Sequence, residues 1–407
     1  MKSSPTTHSA EHDEARLPQW FDHLLTVLEV RLAAFGATRW WRLKLAAFCS
    51  LCSILYATPS VTTLATRETP RLWSVIQQQS AHPLTPVPGL EPASHEAKRA
   101  FRLTMPLLAK LWPVESARGK MLSLFAIQYT AGLLFFVLCA TLFHRLLQSH
   151  ASAVLFAVST AFIYPGQACF FDLFGFFDGV ALVFLLLTFV CRAPALVFGC
   201  LLAAFWVDER AIVAGSFTYL WLKLRDGGEV GWRQLLLPDR HSIVVPLAIL
   251  MTLCLRLWLT RAHGFVLPVT DGGVSFAEYL RAERLFRLPL GILSPFKFHW
   301  ALLGMAALSL WLNRRLALLA LGTAAVLASA AVAVAVVDIT RSLAYAFPAI
   351  ILATRCVAQS SSPRFMLGLA VAVLILSVLL PSYNVMPGVE WMSPFPVKLM
   401  MSRLLWQ

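Results

Sequence analysis

Apolar residues along the chain gather into long blocks separated by short polar ones. The clearest blocks cover roughly 43–62, 121–143, 174–191, 243–260, 291–312, 316–337 and 365–381. Shorter ones lie near 151–164, 195–207, 211–223 and 343–358. A straight membrane helix needs about 20 apolar residues, with about 17 the lower limit. The long blocks meet that length. The short ones reach it only by borrowing flanking residues or by forming broken helices. A membrane β-barrel would show alternating segments of about ten residues, and none is found. The pattern predicts an all-α, polytopic transmembrane bundle of about 10–11 membrane helices.

Other stretches repeat apolar positions at helical spacing without being apolar throughout. Between Leu17 and Phe35, Phe21, Leu24, Leu25, Leu28 and Leu32 fall on one face, which predicts a helix lying on the membrane surface. The opening stretch has no apolar core after its first basic residue, so it does not read as a signal peptide. The chain divides into a cytosolic amphipathic segment over 1–42, a transmembrane domain over 43–381 and an interfacial tail over 382–407. Residues 63–120 form a first outer loop with helices lying along the membrane. There SHEAKRAFRLTMPLLAKLW, from Ser94, predicts one basic amphipathic helix kinked at Pro106, with Lys98, Arg102 and Lys110 directed to lipid headgroups. A second long loop carries a capping box, Ser275 with Glu278, followed by Arg281, Arg284 and Arg287.

Composition agrees with the pattern. The chain is 58% hydrophobic and 14% charged, with a mean hydropathy of +0.70. A soluble protein carries about 25% charged residues. The net charge of +13 reflects Lys and Arg in cytosolic loops, not a nucleic-acid partner. Short loops holding Arg145, Arg192, Lys223, Arg225, Arg314, Arg315 and Arg364 fall on one side when the N-terminus is placed in the cytosol. The eight cysteines lie in or near apolar runs, so even Cys49-x-x-Cys52 reads as packing.

The acids are the chemically informative residues. A charge at the bilayer centre costs about 2.5–3.5 kcal/mol, so embedded acids are candidates for function. On this topology Asp172, Asp178, Asp208, Glu209, Arg210, Asp338 and Arg341 all fall on the outer side, as does Glu68. Asp172 and Asp178 flank Gly175; with the helix broken there, both can face one cavity and act as a base toward a hydroxyl. Asp178 can instead serve only as a helix N-terminal acid. Asp208-Glu209-Arg210 sets three charges between two apolar blocks, where an Arg held by a carboxylate can clamp phosphate. Asp338 and Arg341 sit at i and i+3 and can pair on one helical face. Lys297 reads as a snorkelling side chain and His299 as a hydrogen-bonded helix histidine. Arg256, mid-helix, needs a partner that the sequence does not name.

This layout of helices, basic first loop and outer acids resembles the GT-C superfamily of integral-membrane glycosyltransferases. The resemblance covers most of the chain as architecture and little of it as sequence. It implies transfer of a sugar from a polyprenyl-phosphate donor to an acceptor on the outer face of a membrane, here expected to be a bacterial inner membrane. On that reading Arg210 or Arg341 holds the phosphate, together with Asp208, Glu209 and Asp338. Asp172, Asp178 or Glu68 serves as the base. Glu68 stands where the superfamily usually has an Asp or an acidic pair. A divalent metal, Mg or Mn, is compatible with the site but not required. The competing expectations are a transporter or flippase, and a non-catalytic membrane assembly subunit.

Overall fold

A computed structural model describes residues 18–57, 71–92, 94–112, 114–172, 174–225, 231–267, 287–336, 338–385 and 389–392. Glu68, Ser275, Glu278, Arg281 and Arg284 lie outside the described residues.

The chain opens with α1 (Gln19–Gly36) and α2 (Trp41–Ala57). Three short helices follow in the first loop: α3 (Arg71–Ala81), α4 (His95–Arg99) and α5 (Thr104–Leu111). Next come α6 (Ala117–Leu147), α7 (His150–Thr160) and α8 (Tyr164–Phe171). Three apolar helices, α9 (Asp178–Val190), α10 (Pro194–Val207) and α11 (Ala211–Leu224), precede the short α12 (Trp232–Leu236). The remaining helices are α13 (Val244–His263), α14 (Arg287–Leu293), α15 (Trp300–Leu312), α16 (Leu316–Ala335), α17 (Ile339–Leu343), α18 (Phe347–Ser360) and α19 (Pro363–Leu379). A hairpin of β1 (Ser382–Val385) and β2 (Val389–Met392) pairs Tyr383 with Trp391.

Among the described residues, α6, α13, α16 and the joined stretch Ile339–Ser360 are long and apolar enough to cross a membrane. The pair α7 and α8 makes a fifth span if its 52° bend lies within one crossing. These helices point to a membrane protein.

The boundaries follow from local chemistry. Ser116, Ser149 and Ser362 cap α6, α7 and α19 by accepting a backbone N–H with the side chain. The bend between α7 and α8 has Pro165 in the first turn of α8. It also brings Gly166 so close to the carbonyl of Thr160 that a Cβ there would lie 2.0 Å from the oxygen. Close approach recurs inside the bundle. A Cβ on Gly132 of α6 would meet the Phe170 ring at 2.4 Å, and one on Gly179 of α9 would meet Cys169 Sγ at 2.2 Å. Glycines at such crossings let helix backbones pack tightly in a lipid environment, where hydrophobicity does not drive helices together.

Three sequence expectations change. The stretch from Ser94 is not one kinked helix: the chain breaks over Ala100–Leu103 between α4 and α5. Pro106 is the third residue of α5, in the first turn, where the missing N–H has no intrahelical acceptor to lose. The apolar block 291–312 is also broken, by a 3-10 turn at Lys297–His299. Lys297 adopts φ +46° there and is buried instead of snorkelling; its Nζ donates to Ser377 O at 2.8 Å. Finally, the tail begins with a β-hairpin, which no apolar pattern signals. Val385 N donates to Thr340 Oγ1 at 3.0 Å, tying β1 to α17.

Candidate functional site: a buried ionic network

The N-termini of α9, α11 and α17 and the C-termini of α10 and α16 meet at one end of the bundle, against α4 and α5. Each helix end brings a charged side chain. Asp178 opens α9, Asp208 follows α10, Arg210 precedes α11, and Asp338 and Arg341 flank the start of α17.

Asp208 and Asp178 are the two anionic centres. Arg210 donates from Nε to Asp208 Oδ1 at 2.7 Å and from Nη2 to Oδ2 at 2.6 Å, a bidentate pair. The Arg210 backbone N–H adds a third bond to Oδ1 at 2.9 Å. Arg102 approaches from the turn after α4, with Nη2 at 2.9 Å from Asp208 Oδ2. Arg102 also donates through Nε and Nη2 to Glu209 at 3.1 and 2.8 Å. Asp178 accepts from Arg341 Nε, from Arg341 Nη2 at 3.3 Å, from Arg210 Nη2 at 3.1 Å and from the Tyr345 hydroxyl at 2.9 Å. Arg341 Nη1 donates to Asp338 Oδ2 at 3.2 Å, so the i,i+3 pair forms. Arg210 Nη1 reaches Ser342 Oγ at 2.9 Å and links the α11 and α17 sides.

Aromatic rings complete the packing. Arg341 lies over the Phe176 ring at 3.5 Å from its centroid, and Arg99 lies 5.1 Å from the same centroid. Arg210 lies over Tyr345 at 5.0 Å. A guanidinium over an aromatic face gains attraction without needing water. Arg256 has a partner after all: its Nη2 is 4.0 Å from Glu209 Oε2, and its guanidinium lies 5.5 Å from the Phe101 centroid.

Asp172 has a different environment. Its carboxylate accepts the backbone N–H of Phe174 at 2.9 Å and of Phe177 at 2.6 Å. It thereby staples the loop that carries Gly175 at φ +73° and Phe177 at φ +61°. Arg99 grips the same loop from outside, donating to Phe174 O at 3.1 Å and Gly175 O at 3.0 Å. The loop presents Phe176 to Arg341 and sets Asp178 at the start of α9. Gly175 does break the helix, but Asp172 and Asp178 then do separate things: one shapes the loop and the other joins the network.

The electrostatics divide the acids further. Burial raises the Asp208 carboxyl, yet Arg102 and Arg210 together hold it well below the usual range. Glu209 is likewise lowered, burial being outweighed by Arg102. Burial raises Asp172, and Asp178 adds to the effect. Asp338 is raised by burial, which Arg341 only partly offsets. Asp338 also keeps an enclosed oxygen, Oδ1, with no hydrogen-bond partner, while its side chain as a whole is 17% exposed where that of Asp208 is 0%. Arg99 is pushed down to about 10 by burial and by neighbouring Arg102.

Most of the residues singled out from the sequence therefore come together, while Glu68 lies outside the described residues. Sequence reading missed Arg99, Arg102, Ser342 and Tyr345. Lys98 and Arg102 are buried toward the bundle, not directed to headgroups. The i,i+4 spacing of Arg341 and Tyr345 was the one signal in the chain that could have found Tyr345. Among the described residues, no group of three or more His, Cys, Asp or Glu side chains is arranged to hold a metal ion. No family model, curated protein or solved structure matches the chain.

Proposed function

We propose that the chain is a membrane transferase of the GT-C type, moving a sugar from a polyprenyl-phosphate donor to an acceptor hydroxyl. The observation that carries this reading is the convergence of Asp178, Asp208, Asp338, Arg210 and Arg341 at one end of an apolar bundle, beneath the first-loop helices. On this proposal the shorter helices α2, α9, α10, α11, α15 and α19 also cross, giving about ten or eleven spans. The N-terminus then lies in the cytosol of a bacterial cell and the network faces outward.

The chemistry assigns distinct roles. The acceptor oxygen bonds to the sugar's anomeric carbon as the carbon–oxygen bond to phosphate breaks. The hydroxyl proton passes to a carboxylate, and the polyprenyl phosphate leaves as an anion. Asp338 is the acid best suited to take that proton, because one oxygen is unengaged and burial raises its basicity. Arg341, bonded to Asp338 and Asp178, is placed to meet the developing phosphate charge. Asp178 and Asp208 hold Arg210 and Arg341 in register.

A second reading rests on a specific feature of the network. Its carboxylates, Asp178, Asp208, Glu209 and Asp338, are matched by Arg102, Arg210, Arg256 and Arg341. Such balance suits a lock between helices in a non-catalytic subunit. Purified protein in nanodiscs, supplied with a panel of polyprenyl-phosphate sugars, separates the two. The transferase reading expects release of polyprenyl phosphate by the wild type and at least a hundredfold loss in Asp338→Asn, with the unfolding temperature nearly unchanged. The reading fails if no donor is consumed, or if Asp338→Asn keeps full activity.

A further inference from the structure

The end of the bundle opposite the network carries a site of different chemistry. α15 runs into a turn at Asn313–Arg315, and α18 ends beside it at Ser360. Between them lies a cavity of about 470 Å³. Its polar side is formed by Ser309, Asn313, Arg315, Gln359 and Ser360, and its apolar side by Met305, Leu310 and Val357. The polar groups are arranged among themselves. Asn313 Nδ2 donates to Ser309 O at 2.8 Å, and the Ser309 and Ser360 hydroxyls are 2.7 Å apart.

The charge in this site is not compensated. Arg315 Nη1 meets only the amide oxygen of Gln359, at 3.4 Å. No acid lines the cavity, and among the described residues no carboxylate pairs with Arg314 or Arg315. The surrounding surface is apolar. Leu308 is 58% exposed and Leu312 is 70% exposed, and Trp311 stands at the same helix end, where aromatic residues mark the membrane interface. The cavity also shares Leu310 and Cys356 with a second, apolar cavity of about 170 Å³ between α11, α15, α16 and α18. An apolar cavity of roughly 150 Å³ is enough to admit benzene, so this one can take a segment of alkyl chain.

We propose that this end of the bundle binds one anionic phospholipid. Its phosphate sits against Arg315, with the Asn313 amide as a further donor. One acyl chain passes Leu310 and Cys356 into the apolar cavity, and the other lies along Leu308 and Leu312. The apolar floor selects a lipid over a soluble anion. The uncompensated Arg315 guanidinium selects an anionic headgroup over a zwitterionic one, whose cation finds no acid here.

The test uses the full chain in neutral detergent, with native mass spectrometry to count bound lipids and thermal unfolding to read stabilisation. Phosphatidylglycerol is compared with phosphatidylcholine of the same chains. The expected result is one preferentially bound phosphatidylglycerol that raises the unfolding temperature. Arg315→Gln, at an exposed position, should weaken that binding roughly tenfold and leave phosphatidylcholine unaffected. Gln359→Leu, in the same rim, should weaken it less. Equal binding of the two lipids, or a preference that survives Arg315→Gln, overturns the proposal. Stabilisation reproduced in full by glycerol 3-phosphate or inorganic phosphate overturns it too, since the site would then be one for a soluble anion.

Discussion

Asp208 and Asp338 are both aspartates at helix ends, yet substitution should affect them in opposite ways. Asp208 is fully buried among Arg102, Arg210 and Arg341. Asp208→Asn removes the buried anion that Arg102 and Arg210 share, leaving them only Glu209 and Asp178 as anionic partners, and should cost about 3–5 kcal/mol of stability, seen as a large fall in unfolding temperature. Asp338→Asn keeps a polar group beside Arg341 at the edge of the network, so its expected effect is on turnover. The same contrast sets the response to pH. Asp172 and Asp338 are raised in the folded state, so mild acid relieves their burial as pH falls through their folded values. Asp208 is lowered, so its contribution is complete above its unfolded value of about 4 and is lost as pH falls below that. Unfolding temperature should hold or rise slightly as pH falls from neutral and then drop below about pH 4. A monotonic decline from neutral pH would contradict this assignment. Gly175→Ala tests the loop. At φ +73°, with a new Cβ 3.1 Å from Trp73 Cζ2, it should cost about 1–2 kcal/mol. At this scale the sequence revealed that Asp208, Glu209 and Arg210 interrupt an apolar run. It could not reveal Arg102, because an amphipathic pattern reads the same whether its polar face meets lipid headgroups or protein acids.

The elements were largely legible. The apolar blocks at 121–143, 195–207, 211–223, 243–260 and 316–337 correspond to α6, α10, α11, α13 and α16. The breaks were less so, since Lys297–His299 interrupts an apolar block through backbone geometry and not through composition. The first loop shows what such breaks allow. Splitting α4 from α5 turns Arg102 inward, and Thr104 Oγ1 donates to Ala203 O at 2.9 Å to hold the next turn against α10. Arg102→Ala should therefore loosen this segment first. Hydrogen exchange should accelerate across 95–112 while α6 and α9 stay protected. At the crossing of α8 and α9, Gly179→Ala forces a methyl group against Cys169 Sγ and the Cys169 backbone N, 2.2 and 2.7 Å from the ideal Cβ. We expect a loss of at least about 2 kcal/mol, because backbone on one side cannot yield as a side chain can.

For the whole molecule, the pattern of apolar blocks conveyed the class of fold, while loop charge supplied only an expected direction across the membrane. Neither could convey that helix ends far apart in sequence meet, since that depends on packing angles no single segment encodes. The direction can be measured on a cysteine-free background. With the N-terminus in the cytosol, an impermeant thiol reagent added outside cells should label Leu84→Cys, exposed in the first loop, and spare Arg314→Cys at the other end.

The pairing of acids and arginines in the network has a further consequence. Where positive and negative groups cancel at one depth, a transmembrane voltage exerts little net force on them. A single uncancelled charge moved through the full field is worth about 2.3 kcal/mol per 100 mV. On the proposed placement in a membrane, the paired network would respond little to such a voltage. On that placement, Asp178→Asn would leave one guanidinium of the network uncancelled and make that site sensitive to voltage.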